Sequence, residues 1–253
     1  MNRILEVKNL RKKFSGKNEN KVVLDNVNFS INVGECLGIV GRSGCGKSTT
    51  AKIIARLLSA DEGKIILCGD DITDADGENL KNAYKKMQMI FQMPEESFDP
   101  RQTLGWSIGE PLRNYGFNDA SERIKSLLIE VGLTAEFANR YPHEVSGGQC
   151  QRAAIARAIS LSPKLLICDE ATSALDVTVQ SQVVKLLRKL CTEKNIACLF
   201  ITHDLALLPR IADRVIVMHG GKIVEEGKTE EVIKNAKSKY TKELMSADFF
   251  SMR

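Results

Sequence analysis

The chain has 253 residues, a formal net charge of +4, and 43% hydrophobic and 27% charged residues. That balance fits a folded globular chain with a substantial core, as one large domain or two small ones. So mild a positive charge excludes a strong nucleic-acid footprint, although it suits an anionic membrane surface. In chain order, Ile4-Leu5-Glu6-Val7 reads as a strand beside a second strand over 26–33. There Val27, Phe29, Ile31 and Val33 alternate with Asn26, Asn28, Ser30 and Asn32, the pattern of a half-buried antiparallel strand. The Gly-, Asn- and Lys-rich segment 15–21 is the turn between them.

Next comes a buried apolar strand, Cys36-Leu37-Gly38-Ile39-Val40, and then Gly41-Arg42-Ser43-Gly44-Cys45-Gly46-Lys47-Ser48-Thr49. Residues 50–58 read as a helix, with Ile53, Ile54, Leu57 and Leu58 apolar. Strand, G-x-x-x-x-G-K-S and helix together define a phosphate-binding loop. Its glycines let backbone N–H groups turn inward toward phosphate oxygens, and the helix N-terminus adds the positive end of its dipole. Lys47 is expected to reach the β- and γ-phosphates, and the Ser48 hydroxyl to ligate Mg²⁺. A nucleoside triphosphate is the implied ligand.

Strands are predicted over 64–68, ending at Gly69-Asp70-Asp71, and over 87–91, leading to Gln92. From Pro94 to Pro142 the pattern turns helical, including 121–131 with Ile124, Leu127, Leu128 and Val131 on one face. Strand–helix alternation then resumes. Helices are expected over 148–161 and 177–190, the latter with Val183, Leu186, Leu187 and Leu190 inward. Strands are expected over 165–169, 198–202, 214–218 and 222–226, followed by two short helices in the tail. This predicts an α/β fold of the P-loop NTPase type, with a mostly parallel sheet, helices on both faces, an antiparallel β layer and a helical lobe.

Two further stretches carry chemistry. Leu165-Leu166-Ile167-Cys168-Asp169-Glu170 is a buried strand ending in two acids. In a parallel sheet the strand carboxyl ends converge on the ligand, so Asp169 is placed to hold Mg²⁺ and Glu170 to activate a water as general base. Val145-Ser146-Gly147-Gly148-Gln149 opens a helix, with Ser146 as N-cap and two glycines exposing N–H groups as a second anion site. One triphosphate cannot readily occupy two distant helix N-termini of one chain, which points to a second copy or a partner.

The seven cysteines (36, 45, 68, 150, 168, 191 and 198) are scattered, with no C-x-x-C pair, which suits a reducing cytoplasm rather than a disulfide framework. Three well-separated histidines make a structural metal site unexpected. No apolar run approaches the roughly 18 residues of a membrane span, and the chain opens directly on a strand pattern. A chain neither secreted nor membrane-spanning by itself is expected.

In the order of these motifs the chain resembles the nucleotide-binding subunits of ATP-binding cassette (ABC) transporters, over nearly its whole length. The resemblance implies an ATPase with ATP and Mg²⁺ as cofactors. It places Phe14 on the adenine, residues Gly41 to Thr49 on the phosphates, and Gln92 as the glutamine that senses Mg²⁺ and the γ-phosphate. Val145 to Gln149 resembles the signature motif, with valine where leucine is usual. Ser173-Ala174-Leu175-Asp176 resembles the D-loop, and His203 the switch histidine. His143 and His219 are read as structural.

The implied architecture is a RecA-like core (1–92 and 162–228), a helical subdomain (93–161) and a short helical tail (229–253). The implied partners are a second ATPase subunit, head-to-tail as homo- or heterodimer, two membrane-spanning permease subunits and, indirectly, an extracytoplasmic substrate-binding protein. The implied location is peripheral, on the cytoplasmic face of the cell membrane. Phe98-Asp99-Pro100-Arg101 and the tail Lys239-Tyr240-Thr241-Lys242-Glu243-Leu244 resemble the peptide/nickel importer group. The G-R-S-G-C-G-K-S loop and the 197–205 segment look closest to its nickel-import subunits. Di- and oligopeptide importers share almost everything else, while Met93 to Ser97 departs from the group pattern. An export ATPase and a soluble cassette acting on ribosomes or DNA are the readings from other classes. Cys45, inside the phosphate loop, is expected to make ATP binding sensitive to thiol alkylation, with ATP protecting.

Overall fold

The computed structural model describes residues 3–15, 20–117 and 120–251. Its first half runs β1 (Arg3–Ser15), β2 (Asn20–Asn32), β3 (Cys36–Val40), α1 (Lys47–Ile54), β4 (Glu62–Leu67), β5 (Asp70–Asp71), α2 (Gly77–Lys86), β6 (Met87–Ile90), α3 (Leu104–Asn114) and α4 (Ser121–Glu130). The second half runs α5 (Gly147–Ile159), β7 (Leu165–Asp169), α6 (Val177–Lys194), β8 (Ala197–Ile201), α7 (Leu208–Ile211), β9 (Arg214–His219), β10 (Lys222–Lys228), α8 (Thr229–Lys234) and α9 (Lys239–Ser251).

The strands form two sheets. The larger has the order β10-β9-β3-β8-β7-β6, parallel from β9 to β6, with β10 antiparallel at one edge. The smaller is antiparallel, in the order β2-β1-β4-β5. Every residue of β3, β7 and β8 is buried, which is why these segments read as unbroken apolar runs rather than alternating ones.

Alternate residues of those strands serve two cores. Leu37, Ile39, Leu165, Ile167, Leu199 and Ile201 face the antiparallel sheet and α1. Cys36, Val40, Leu166, Cys168, Cys198 and Phe200 face the helices of the chain's second half. The helical cover is therefore uneven, because one face of the large sheet is closed mainly by β-structure. All seven cysteines are free thiols and six are buried, filling space as small apolar side chains.

Several element boundaries differ from the sequence reading. α1 begins at Lys47, immediately after the glycine loop, and ends at Ile54; Arg56 then adopts a left-handed φ of 57°. Leu57 is consequently 54% exposed rather than part of an apolar face. Val33 lies past the end of β2 and is exposed. The expected stop at Gly69-Asp70-Asp71 is a hairpin, with Cys68 and Gly69 at positive φ and β5 returning on β4. α2 was not foreseen, because its sequence is mostly polar and Ala83 is its one buried residue. Residues 16–19 of the expected β1–β2 turn lie outside the described residues, although the two strands pair as far as Ser15 and Asn20.

Candidate nucleotide site

The 41–49 loop leaves β3 on three glycines at positive φ, two of which also have no room for a side chain. Gly41, Gly44 and Gly46 have φ of 152°, 78° and 108°, values that an L side chain rarely adopts. A Cβ on Gly41 would lie 2.3 Å from the Met218 carbonyl oxygen, and one on Gly46 would lie 2.6 Å from Leu24 Cδ2. α1 starts directly behind them with its first N–H groups free of helical partners. The Lys47 side chain is buried and folds back on the loop, its Nζ donating to the carbonyls of Gly41 at 2.7 Å and Arg42 at 3.3 Å. Thr50 closes the first turn by donating its hydroxyl to the Gly46 carbonyl.

β8 lies between β3 and β7, so the carboxyl end of β7 comes up beside the loop. There the Ser48 hydroxyl donates to Asp169 Oδ1 at 2.8 Å. Burial pushes the Asp169 carboxyl above its ordinary range, and the charge of Glu170 adds to this, while the Ser48 bond opposes it. Two oxygen donors side by side, one of them a buried carboxylate, match the preference of a hard divalent cation. Glu170 has a left-handed φ of 49° and its N–H is tied to the Ile201 carbonyl. This turns its side chain toward His203, whose Nδ1 is 3.3 Å from Glu170 Oε2. The His203 side chain is itself 60% exposed.

The 146–149 segment forms a reciprocal cap on α5. Ser146 Oγ accepts from the Gln149 N–H, and Gln149 Oε1 accepts from the Ser146 N–H. A Cβ on Gly148 would lie 2.5 Å from Val179 Cγ1, so that glycine permits close packing of α5 against α6. Asp176 caps α6 by accepting from the Val179 N–H. Among the described residues no hydrogen bond joins the 146–149 and 41–49 loops. Gln92 is exposed just past β6, and Phe14 is 43% exposed at the end of β1, with Lys12 Nζ 5.6 Å from its ring centroid.

The structure corrects one expectation. Cys45 is buried, with its Sγ turned back toward Gly41, and burial pushes its thiol up. That is the environment of an unreactive cysteine. It also reveals a contact that sequence reasoning missed: the Arg42 N–H donates to the Tyr240 hydroxyl from α9 at 3.1 Å. The only signal in the sequence was the K-Y-T-K tail pattern, which says nothing of what the tyrosine touches.

A glycine loop, a buried lysine, a serine–aspartate pair and a glutamate at the ends of parallel strands define a nucleotide-hydrolysing P-loop protein. The ABC transporter family profile matches residues 24–173. The chain is 48% identical over 228 residues to the oligopeptide transport ATP-binding protein OppF of Salmonella typhimurium, covering 88% of this chain and 68% of that protein. It is 45% identical over 255 residues to AppF of Bacillus subtilis, covering 96% of this chain and 78% of that one. The glutathione import ATP-binding protein GsiA of Salmonella typhimurium is 48% identical over 227 residues, which are 88% of this chain and 36% of that longer protein. Among solved structures, the ATP-binding cassette MJ0796, described as a dimer in a post-hydrolysis state bound to ADP and Pi, superposes with a TM-score of 0.80. It is 32% identical, over 89% of this chain and 98% of that one. The chain belongs to the ABC transporter family, and its fold is that of an ABC ATPase.

Proposed function

We propose that this chain is the ATP-hydrolysing subunit of an ABC importer for short peptides. The convergence of Lys47, Ser48, Asp169, Glu170 and His203 at one end of the parallel sheet carries the catalytic part of that reading. The cargo part is supported by the printed descriptions of the relatives, which name oligopeptides and glutathione. They favour the peptide reading over the nickel reading that the loop sequence had suggested.

In this mechanism ATP stacks its adenine on Phe14 and lays its phosphates on the N–H groups of the 41–49 loop. Lys47 exchanges the Gly41 and Arg42 carbonyls for the β- and γ-phosphates. Ser48, Asp169 and Gln92 are the residues that would hold Mg²⁺, which when bound neutralises charge on the phosphate oxygens. Glu170 accepts a proton from the water that attacks the γ-phosphorus, as the bond from that phosphorus to the ADP oxygen breaks. His203, beside Glu170, contacts the γ-phosphate and orients the base.

The 146–149 loop serves the ATP of a second ATPase subunit, held head-to-tail, and receives the same service in return. Closure of the pair is the two-state movement that two permease subunits read. The division into a RecA-like core (1–92 and 162–228), a helical subdomain (93–161) and a tail (229–253) gives each part a task, with 93–161 facing the permeases. No helix among the described residues is long and apolar enough to cross a membrane. We place the chain peripherally on the cytoplasmic face of the cell membrane, held there by its partners.

The test is ATPase activity after reconstitution with the neighbouring permease subunits. Binding protein loaded with short peptides or with a Ni²⁺ chelate is supplied in separate arms. Stimulation by the peptide-loaded form supports this reading. Stimulation by the metal-loaded form alone restores the nickel importer, and none by either moves the chain toward export.

A further inference from the structure

We propose that Tyr240 is a positioning residue for the phosphate loop, so that the C-terminal helix α9 sets how tightly the chain holds ATP. The inference rests on the reading that the 41–49 loop binds ATP.

One peptide group carries the argument. The peptide joining Gly41 to Arg42 is clamped on both sides: its carbonyl accepts from Lys47 Nζ at 2.7 Å, and its N–H donates to the Tyr240 hydroxyl at 3.1 Å. It follows a glycine at φ 152°, where rotation of the peptide plane meets little steric resistance. Gly41 is buried but Arg42, Ser43 and Gly44 beyond it are exposed, so on that side hydrogen bonds rather than packing fix its orientation. The two clamps differ in what binding does to them. Lys47 is the group that turns to the phosphates, and its bond to the carbonyl is then given up. Tyr240 approaches from the opposite element and has no such competing task. It holds the peptide in register while the lysine changes partners.

Tyr240 is itself held. Its ring lies against the His219 ring at the end of β9, with centroids 3.9 Å apart. The start of its helix is fixed by Glu225 of β10, whose carboxylate accepts from the Lys237 and Ser238 N–H groups at 2.8 and 3.0 Å. Leu244, one turn on, is buried in the helical core. A bond between residues 198 positions apart thus joins the loop after the interior strand β3 to a helix anchored on the β9–β10 edge of the same sheet. A loop preorganised this way loses less freedom on binding than a free one, and the gain appears as affinity rather than as rate.

The experiment measures binding of a fluorescent ATP analogue, the KM and kcat for ATP, and the melting temperature, all on the full chain. Tyr240→Phe removes the hydroxyl and keeps the ring on His219. The expected result is affinity weakened about threefold to tenfold, as for loss of one hydrogen bond, with KM raised in parallel and kcat and melting temperature near the parent's. Leu128→Ala, in α4 of the helical core and away from α9, is the control, lowering the melting temperature through lost core packing while leaving affinity unchanged. Parent-like affinity in Tyr240→Phe overturns the proposal. So does an equal loss of affinity in Leu128→Ala, since affinity would then follow overall stability alone. A parent chain that does not bind the analogue overturns the ATP reading of the loop itself.

Discussion

Ser48 Oγ donates to Asp169 Oδ1 at 2.8 Å, joining the first turn of α1 to the last residue of β7 across 121 positions. In the proposed mechanism both oxygens serve Mg²⁺. Asp169→Asn and Ser48→Ala should therefore bind nucleotide similarly with and without Mg²⁺, whereas the parent gains affinity when the ion is added. The loss of Mg²⁺ affinity is expected to be at least on the order of 10- to 100-fold, the cost of removing a group that only orients a metal's ligands. Titration of nucleotide binding in Mg²⁺ and in chelator measures it. An undiminished Mg²⁺ response in both variants would remove these residues from the metal site.

Glu170 and His203 meet at 3.3 Å, where the chain turns away just past the end of β7. Glu170→Gln keeps size and shape and loses the ability to take a proton. Steady-state hydrolysis should fall roughly 100-fold or more, with ATP affinity preserved. Rapid-mix hydrolysis and equilibrium binding on one preparation decide the matter. Full turnover by the variant would assign the base elsewhere.

Cys45 sits in the phosphate loop, yet its thiol is buried and pushed up by desolvation. Cys150, behind the 146–149 cap, is pushed further by burial, to about 12. Iodoacetamide at neutral pH should therefore leave both unmodified in the folded chain and label both after denaturation. Peptide mass mapping reads this directly. Rapid labelling of Cys45 that ATP suppresses would restore the alkylation-sensitive thiol expected from sequence alone.

Asp213 ties together the starts of β3 and β9 with α6. It accepts from the Cys36 N–H at 2.8 Å and from both terminal nitrogens of Arg188 at 2.9 and 2.6 Å. Burial pushes its carboxyl up, but Arg188 and the Cys36 N–H outweigh that and hold it below the ordinary aspartate range. A depressed acid contributes stability that is fully present above its unfolded value and is lost as pH falls through the folded one. Asp213→Asn should destabilise the chain by roughly 1 kcal/mol near neutrality. The gap to the parent should close on acidification through and below the usual carboxylate range. Urea denaturation of the pair across pH tests this, and a gap that widened with acid would refute it.

The chemistry of this chain was legible where it is contiguous. The glycines at 41, 44 and 46, the lysine and serine that follow, and the acids ending an apolar strand announce themselves. Backbone freedom and side-chain chemistry there depend on residue type at close spacing. The buried strands were equally plain, because β3, β7 and β8 are apolar throughout. α2 was hidden by its polar composition, since it offers few apolar residues to read and buries only Ala83. The inward turn of Cys45, the pairing of Ser48 with Asp169, and the reach of Tyr240 to Arg42 were decided by tertiary structure. The last two depend on the lateral order of strands and on how a tail helix packs, through contacts between residues 121 and 198 positions apart. Local pattern specifies which groups are present, and only the packing of the two sheets and their helices specifies which of them touch.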